Sequence, residues 1–146
     1  MRKARIVLLV IPFFAFLNLG LIGSTLGEEK AQQGKPPEVP AFTIVRALIT
    51  TGVENREPAG TADVFPASTE RVYCFIEAMD ISKDTEVSFA WFQGDQEKRK
   101  VTLPLLAGPR WRTWAYKNLG GQKGDWKVEI RDGEGNLLKE IKFKVE

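Results

Sequence analysis

From Phe42 onward, apolar side chains recur at every second position in one segment after another, the spacing of half-buried β-strands. Phe42–Thr50 (FTIVRALIT) is β-branched and apolar on both faces, a first strand. Arg71–Met79 sets Val72, Cys74, Ile76 and Ala78 against Tyr73, Phe75 and Glu77. Thr85–Gln93 aligns Val87, Phe89 and Trp91. A turn at Gln93–Gln96 leads to Glu97–Leu105, with Val101, Leu103 and Leu105 inward. Pro104 has no N–H for a ladder, so this strand is expected at a sheet edge.

Pro109–Lys117 (PRWRTWAYK) places Trp111, Thr113 and Ala115 on one face and Arg110, Arg112, Trp114 and Tyr116 on the other. Trp126, Val128 and Ile130 then alternate with charges. Asp132–Asn136 has the composition of a hairpin loop, and Leu137–Val145 closes with Ile141, Phe143 and Val145 inward. Gly52–Ser68 contains Asn55, Pro58, Gly60 and Pro66 and reads as a long loop with room for one short strand. No segment carries a convincing amphipathic helix. The expectation is all-β: a single antiparallel immunoglobulin-like sandwich of about seven strands over residues 41–146. Its core would hold Val72, Cys74, Ile76, Phe89, Trp91, Trp111, Trp126, Val128 and Phe143.

The N-terminal segment changes where this domain is expected. Arg2, Lys3 and Arg5 precede a largely apolar run from Ile6 to Gly23, and Thr25-Leu26-Gly27 offers a small-residue cleavage site. Residues 1–27 read as a signal peptide, which implies a periplasmic or secreted product. The run is also long enough for an uncleaved inner-membrane anchor through residues 6–23. No cysteine follows it directly, against lipid attachment. Residues 28–40 form a Pro- and Gln-containing linker.

Of 21 Lys+Arg and 19 Asp+Glu, the leader takes three cations and leaves 18 against 19. A remainder this near neutrality lacks the basic bias of a nucleic-acid binder, so any partner must be met by a local patch. The sequence has no histidine, which excludes Ser-His-Asp triads, Cys-His dyads and His-ligated metals. Its one cysteine, Cys74, falls on an apolar strand face and reads as a small core residue. Asp132, Glu134 and Asn136 have the spacing of a calcium-loop start, but Leu137 and Phe143 stand where Gly and Glu are required. No metal or cofactor is expected. Asp125, Asp132 and Glu134 are the nearest approach to paired catalytic carboxylates, yet two of them belong to a hairpin tip. No catalysis is expected. Lys98-Arg99-Lys100 suits a charged edge strand that discourages sheet-to-sheet association, with acidic-partner binding as the alternative.

The face formed by Arg110, Arg112, Trp114 and Tyr116 is the strongest candidate for binding, extended by Lys117 and, if Arg71–Met79 lies alongside, by Tyr73 and Glu77. Glu77 is then a natural partner for Arg112. The bland alternative is a sheet face on which arginine stems cover aromatic rings. The functional reading is a docking surface for an envelope protein or an anionic polymer, because the cations around the rings are pure donors. A carbohydrate module stacking sugars on Trp114 and Tyr116 is the competing class.

Thr51–Pro58, Arg71–Phe75, Trp91, Pro109–Trp114 with Lys117, Gly124-Asp125-Trp126, Asp132-Gly133 and Phe143-Lys144-Val145 together resemble an uncharacterised bacterial domain, family 2914 of the domains of unknown function. The resemblance runs from Phe42 to Val145. Similar members often carry a histidine two residues before the third-motif tryptophan, a place held here by Phe89. The resemblance implies no established activity. The last part of the chain also resembles the closing hairpin of many immunoglobulin-like sandwiches.

Overall fold

The computed structural model describes residues 39–146, so the leader and most of the linker lie outside the described residues. Among the described residues, nine strands follow one another with no helix: β1 Thr43–Glu54, β2 Glu57–Thr61, β3 Val64–Phe65, β4 Arg71–Ile81, β5 Thr85–Gln93, β6 Gln96–Leu105, β7 Gly108–Asn118, β8 Gly124–Asp132 and β9 Leu137–Val145. They form a four-stranded sheet, β2-β1-β4-β7, and a five-stranded sheet, β3-β9-β8-β5-β6. The inward alternation read from each strand supplies the layer between them. Val72, Cys74, Ile76 and Ala115 from one sheet meet Val87, Phe89, Trp91, Trp126, Val128 and Phe143 from the other. Trp111 packs against this core while partly buried. Burying each large apolar side chain contributes about 1.5–3 kcal/mol, which makes this layer the main source of stability.

Within the core, the Phe143 ring lies parallel to Trp126 and edge-on to Trp91 and Phe65. Cys74 is fully buried, and burial alone pushes its thiol far above the ordinary value, so it is inert as a nucleophile. As expected from Pro104, β6 is an edge strand, and Pro104 stands opposite Glu86.

Two expectations are corrected. The long loop over Gly52–Ser68 is mostly strand, which raises the count from about seven to nine. β1 runs on to Glu54 and turns back through Asn55 and Arg56 into β2, pairing Glu54 with Glu57. Both turn residues have positive φ, 51° and 62°, the geometry of a two-residue hairpin turn. Gly60 permits the close pairing that follows, since a Cβ there would fall 2.2 Å from Thr51 Oγ1. The second correction concerns direction. β3 pairs with β9 in parallel, Val64 opposite Lys144 and Phe65 opposite Val145, because β3 follows a crossover rather than a hairpin.

Candidate binding face

β4 is central in the four-stranded sheet, and its register decides which side chains meet on the outer surface. Tyr73 lies opposite Tyr116, Phe75 opposite Trp114, Glu77 opposite Arg112 and Met79 opposite Arg110. On the other flank, Arg46 of β1 lies opposite Glu77 and Leu48 opposite Phe75. A register shift between Ile44 and Arg46 precedes this alignment. Of the seven residues singled out from the sequence, five lie on β7 and two, Tyr73 and Glu77, on β4; six of the seven share this face. Lys117 does not. Alternation turns it to the core side of β7, where its Nζ lies 5.7 Å from the Trp126 ring centroid and donates to the Asn118 carbonyl. Burial, then the charges of Arg99 and Lys98, hold the Lys117 amine below its ordinary value.

Glu77 organises the polar half of the face. It is 5% exposed and takes Arg112 Nε at 3.1 Å and Arg110 Nε at 3.1 Å, with Arg46 Nη1 at 3.6 Å. The Glu77–Arg112 pair expected from the sequence is therefore present. Glu57, from the strand the sequence reading missed, completes the network with Arg46 Nη2 and Arg112 Nη1, each at 2.7 Å. The hydrogen bond from Arg46 holds the Glu57 carboxyl below its ordinary range; burial opposes this, and the Arg112 and Arg110 charges add to it. Three guanidiniums thus share two carboxylates. Arg46 and Glu57 escaped the sequence reading because neither stands near the Arg/aromatic run. The alternation of β1 could have revealed Arg46; nothing local reveals Glu57.

The aromatic half is packed more closely than a free platform. Phe75 is fully buried although it points away from the core, covered by the Arg46 guanidinium at 5.1 Å and stacked on Trp114 at 6.1 Å and 12°. Trp114 is consequently half-buried. Tyr116 is more open, at 37% exposure, and tilts against Tyr73 at 6.0 Å. Arg71 and Arg99 both stand over the Tyr116 ring, at 4.2 and 5.0 Å. Arg99 comes from β6 of the other sheet, so the charged edge run contributes a residue here.

An open depression of about 520 Å³ lies away from this face, on the five-stranded sheet, among Asp63, Asp95, Asp125, Lys127, Lys142 and Lys144. Charged side chains predominate among its lining residues, with Trp126 and Phe143 also present. No cluster of carboxylate or thiol groups suited to a metal occurs among the described residues. Asp125 and Asp132 stand near opposite ends of β8, roughly 23 Å apart at about 3.3 Å per residue, whereas paired glycosidase carboxylates are about 5–9.5 Å apart. Asp132 is instead a hairpin cap, accepting from the Glu134 and Asn136 N–H groups and from the Asn136 side chain. Burial opposes its ionisation, but these hydrogen bonds prevail and lower its pKa. Phe89 is fully buried between Val101 and Ile130. That place in this chain belongs to the core.

Residues 84–145, from just before β5 to the end of β9, match the model of a family described as "Protein of unknown function (DUF2914)". This is the family the sequence resembles. The match contains the motifs from Trp91 to Val145, while Thr51–Pro58 and Arg71–Phe75 precede it. No curated protein matches the chain.

Proposed function

We propose that this chain is an exported, non-catalytic binding module that docks on an acidic surface of a cell-envelope partner through the outer face of β1, β4 and β7. The observation that carries the reading is the row of Arg46, Arg110 and Arg112 held over only two carboxylates, beside the half-buried Trp114 and the exposed Tyr116. Guanidiniums fixed by an ion network lose little further freedom on binding, and arginine with aromatic rings is the usual composition of protein hot spots. An immunoglobulin-like frame suits such a role. Supporting that frame are the sheet order β2-β1-β4-β7 against β3-β9-β8-β5-β6 and the short parallel β3–β9 pair.

The carbohydrate alternative is the weaker one. Arg71 and Arg99 already stand over the most exposed ring, Tyr116, and supply only donors. The test is capture of envelope partners by the full chain compared with Trp114→Ala. Capture should fall at least about tenfold, the effect of removing one hot-spot aromatic. Unchanged capture by a folded Trp114→Ala protein would refute the docking face, and saturable binding of a neutral oligosaccharide would favour the sugar reading.

A further inference from the structure

We propose that the open side between β6 and β7 is an oxyanion site, where Arg71 and Arg99, both over the Tyr116 ring, take a phosphoryl or sulfate group of an anionic polymer, with Lys117 at the neighbouring position of β7. The site presupposes the docking role above and supplies its anion-binding part. β7 is the edge of one sheet and β6 the edge of the other, so side chains from both reach solvent across the same seam. Arg71, at the start of β4, is steadied by its Nε–H donating to Asn118 Oδ1 at 2.8 Å. Its guanidinium and that of Arg99 each lie within 5.0 Å of the Tyr116 centroid, so no more than twice that distance separates them. Lys117 enters from the core side of β7, beside Trp126.

What distinguishes Arg71 and Arg99 from the other cations without a close carboxylate, such as Lys83 and Lys139, is that both stand over one exposed ring at the seam of two sheets. Arg46, Arg110, Arg112, Lys127, Arg131, Lys142 and Lys144 all have carboxylates within 4.0 Å. Among the described residues, Arg71, Lys98, Arg99 and Lys117 have none. Burial first, and then the charges of Arg99 and Lys98, lower the Lys117 pKa. Edge protection accounts for cations along the outside of β6. It does not account for Arg99 crossing to Tyr116, or for Arg71 and Lys117, which belong to the other sheet. Guanidinium forks bind tetrahedral oxyanions bidentately, and two guanidiniums over one ring suit a multiply charged group better than a single carboxylate. Arrival from two sheets along a seam suits successive charges of a polymer.

The experiment titrates the full chain with short-chain polyphosphate. Arg71→Gln and Arg99→Gln should each weaken binding about tenfold, the loss of a charge-assisted hydrogen bond. Each should also reduce the slope of log affinity against log salt by about 1. Arg99→Lys should retain part of the affinity, and Lys139→Gln, on exposed β9, should change it less than about twofold. Melting curves identify any variant that fails to fold, and Arg99, exposed on an edge, provides the test if Arg71→Gln does. Vesicles containing phosphatidylglycerol, set against phosphatidylcholine alone, distinguish a lipid headgroup from a soluble polymer; binding to either phosphate source supports the site. No binding to either phosphate source, equal loss in Lys139→Gln, or equally tight binding of polyglutamate of the same charge overturns it. If both phosphate sources fail while partner capture still depends on Trp114, only the oxyanion site falls; the reverse pattern removes only the docking face.

Discussion

Glu77 sits at 5% exposure against three guanidiniums, and its position explains why the face around it holds a fixed shape. A buried carboxylate is tolerable only when opposite charges and hydrogen bonds replace its water, and removing such a partner strands the others. Glu77→Gln should therefore lower stability by about 2 kcal/mol, toward the mild end for buried pairs because its arginines keep contact with water. Glu57→Gln, at a half-exposed carboxylate, should stay within about 0.5 kcal/mol. Urea unfolding of the two variants measures both; equal effects would mean that Glu77 is not the organiser. The Glu77–Arg112 pair could be anticipated because both residues lie on regular alternation. Trp114 could not be judged so, since its exposure depends on Phe75 from a strand thirty-odd residues earlier.

The β1–β2 hairpin turns on Asn55 and Arg56, and only the first is a residue that takes positive φ readily. Arg56 has φ 62° and is held there by the pairing of Glu54 with Glu57 on either side. Glycine at the second position removes the steric cost of the left-handed conformation, although it also frees the unfolded chain. Arg56→Gly should raise stability by about 0.5–1 kcal/mol, seen as a melting temperature higher by a few degrees. A lower melting temperature would show that the Arg56 side chain contributes more than its backbone costs. The same turn explains the missed strand. Asn55, Pro58, Gly60 and Pro66 are turn and breaker residues singly, and β2 at Glu57–Thr61 has no apolar alternation, being an edge strand with little to bury.

Across the domain, stability should respond to acid and ignore the neutral range. Arg46 lowers the Glu57 pKa, and Arg131 lowers that of Glu129; for both, burial works in the opposite direction. At Asp132 burial again opposes ionisation, yet hydrogen bonds in the hairpin lower its pKa. Each folded pKa lies below its unfolded value, so the stabilisation is complete above the ordinary values of 4.5 and 3.8 and is lost as pH falls through the lower folded ones. With no histidine, no side chain with an ordinary pKa near neutrality changes charge between about pH 6 and 8. Urea midpoints should be level across that interval and drop below about pH 4. A marked neutral-range transition would contradict this.

The all-β class, the inward residues of β4 to β9 and the edge position of β6 were legible along the chain, because period-2 alternation and a missing proline N–H are local properties. So were six members of the outer face, once β4 and β7 were taken as neighbours. The calcium-loop likeness failed for the same local reasons that the hairpin at Asp132 succeeded. Other features depended on contacts that sequence spacing does not encode. Glu57 reaches Arg112 only because β2 folds back along β1, and Arg99 reaches Tyr116 only because the edges of two different sheets lie side by side. The parallel β3–β9 pair likewise joins residues 80 apart in sequence, Val64 to Lys144 and Phe65 to Val145. Alternation says which way a side chain points from its own strand; which strand it then meets is settled by how the two sheets close over their shared apolar layer.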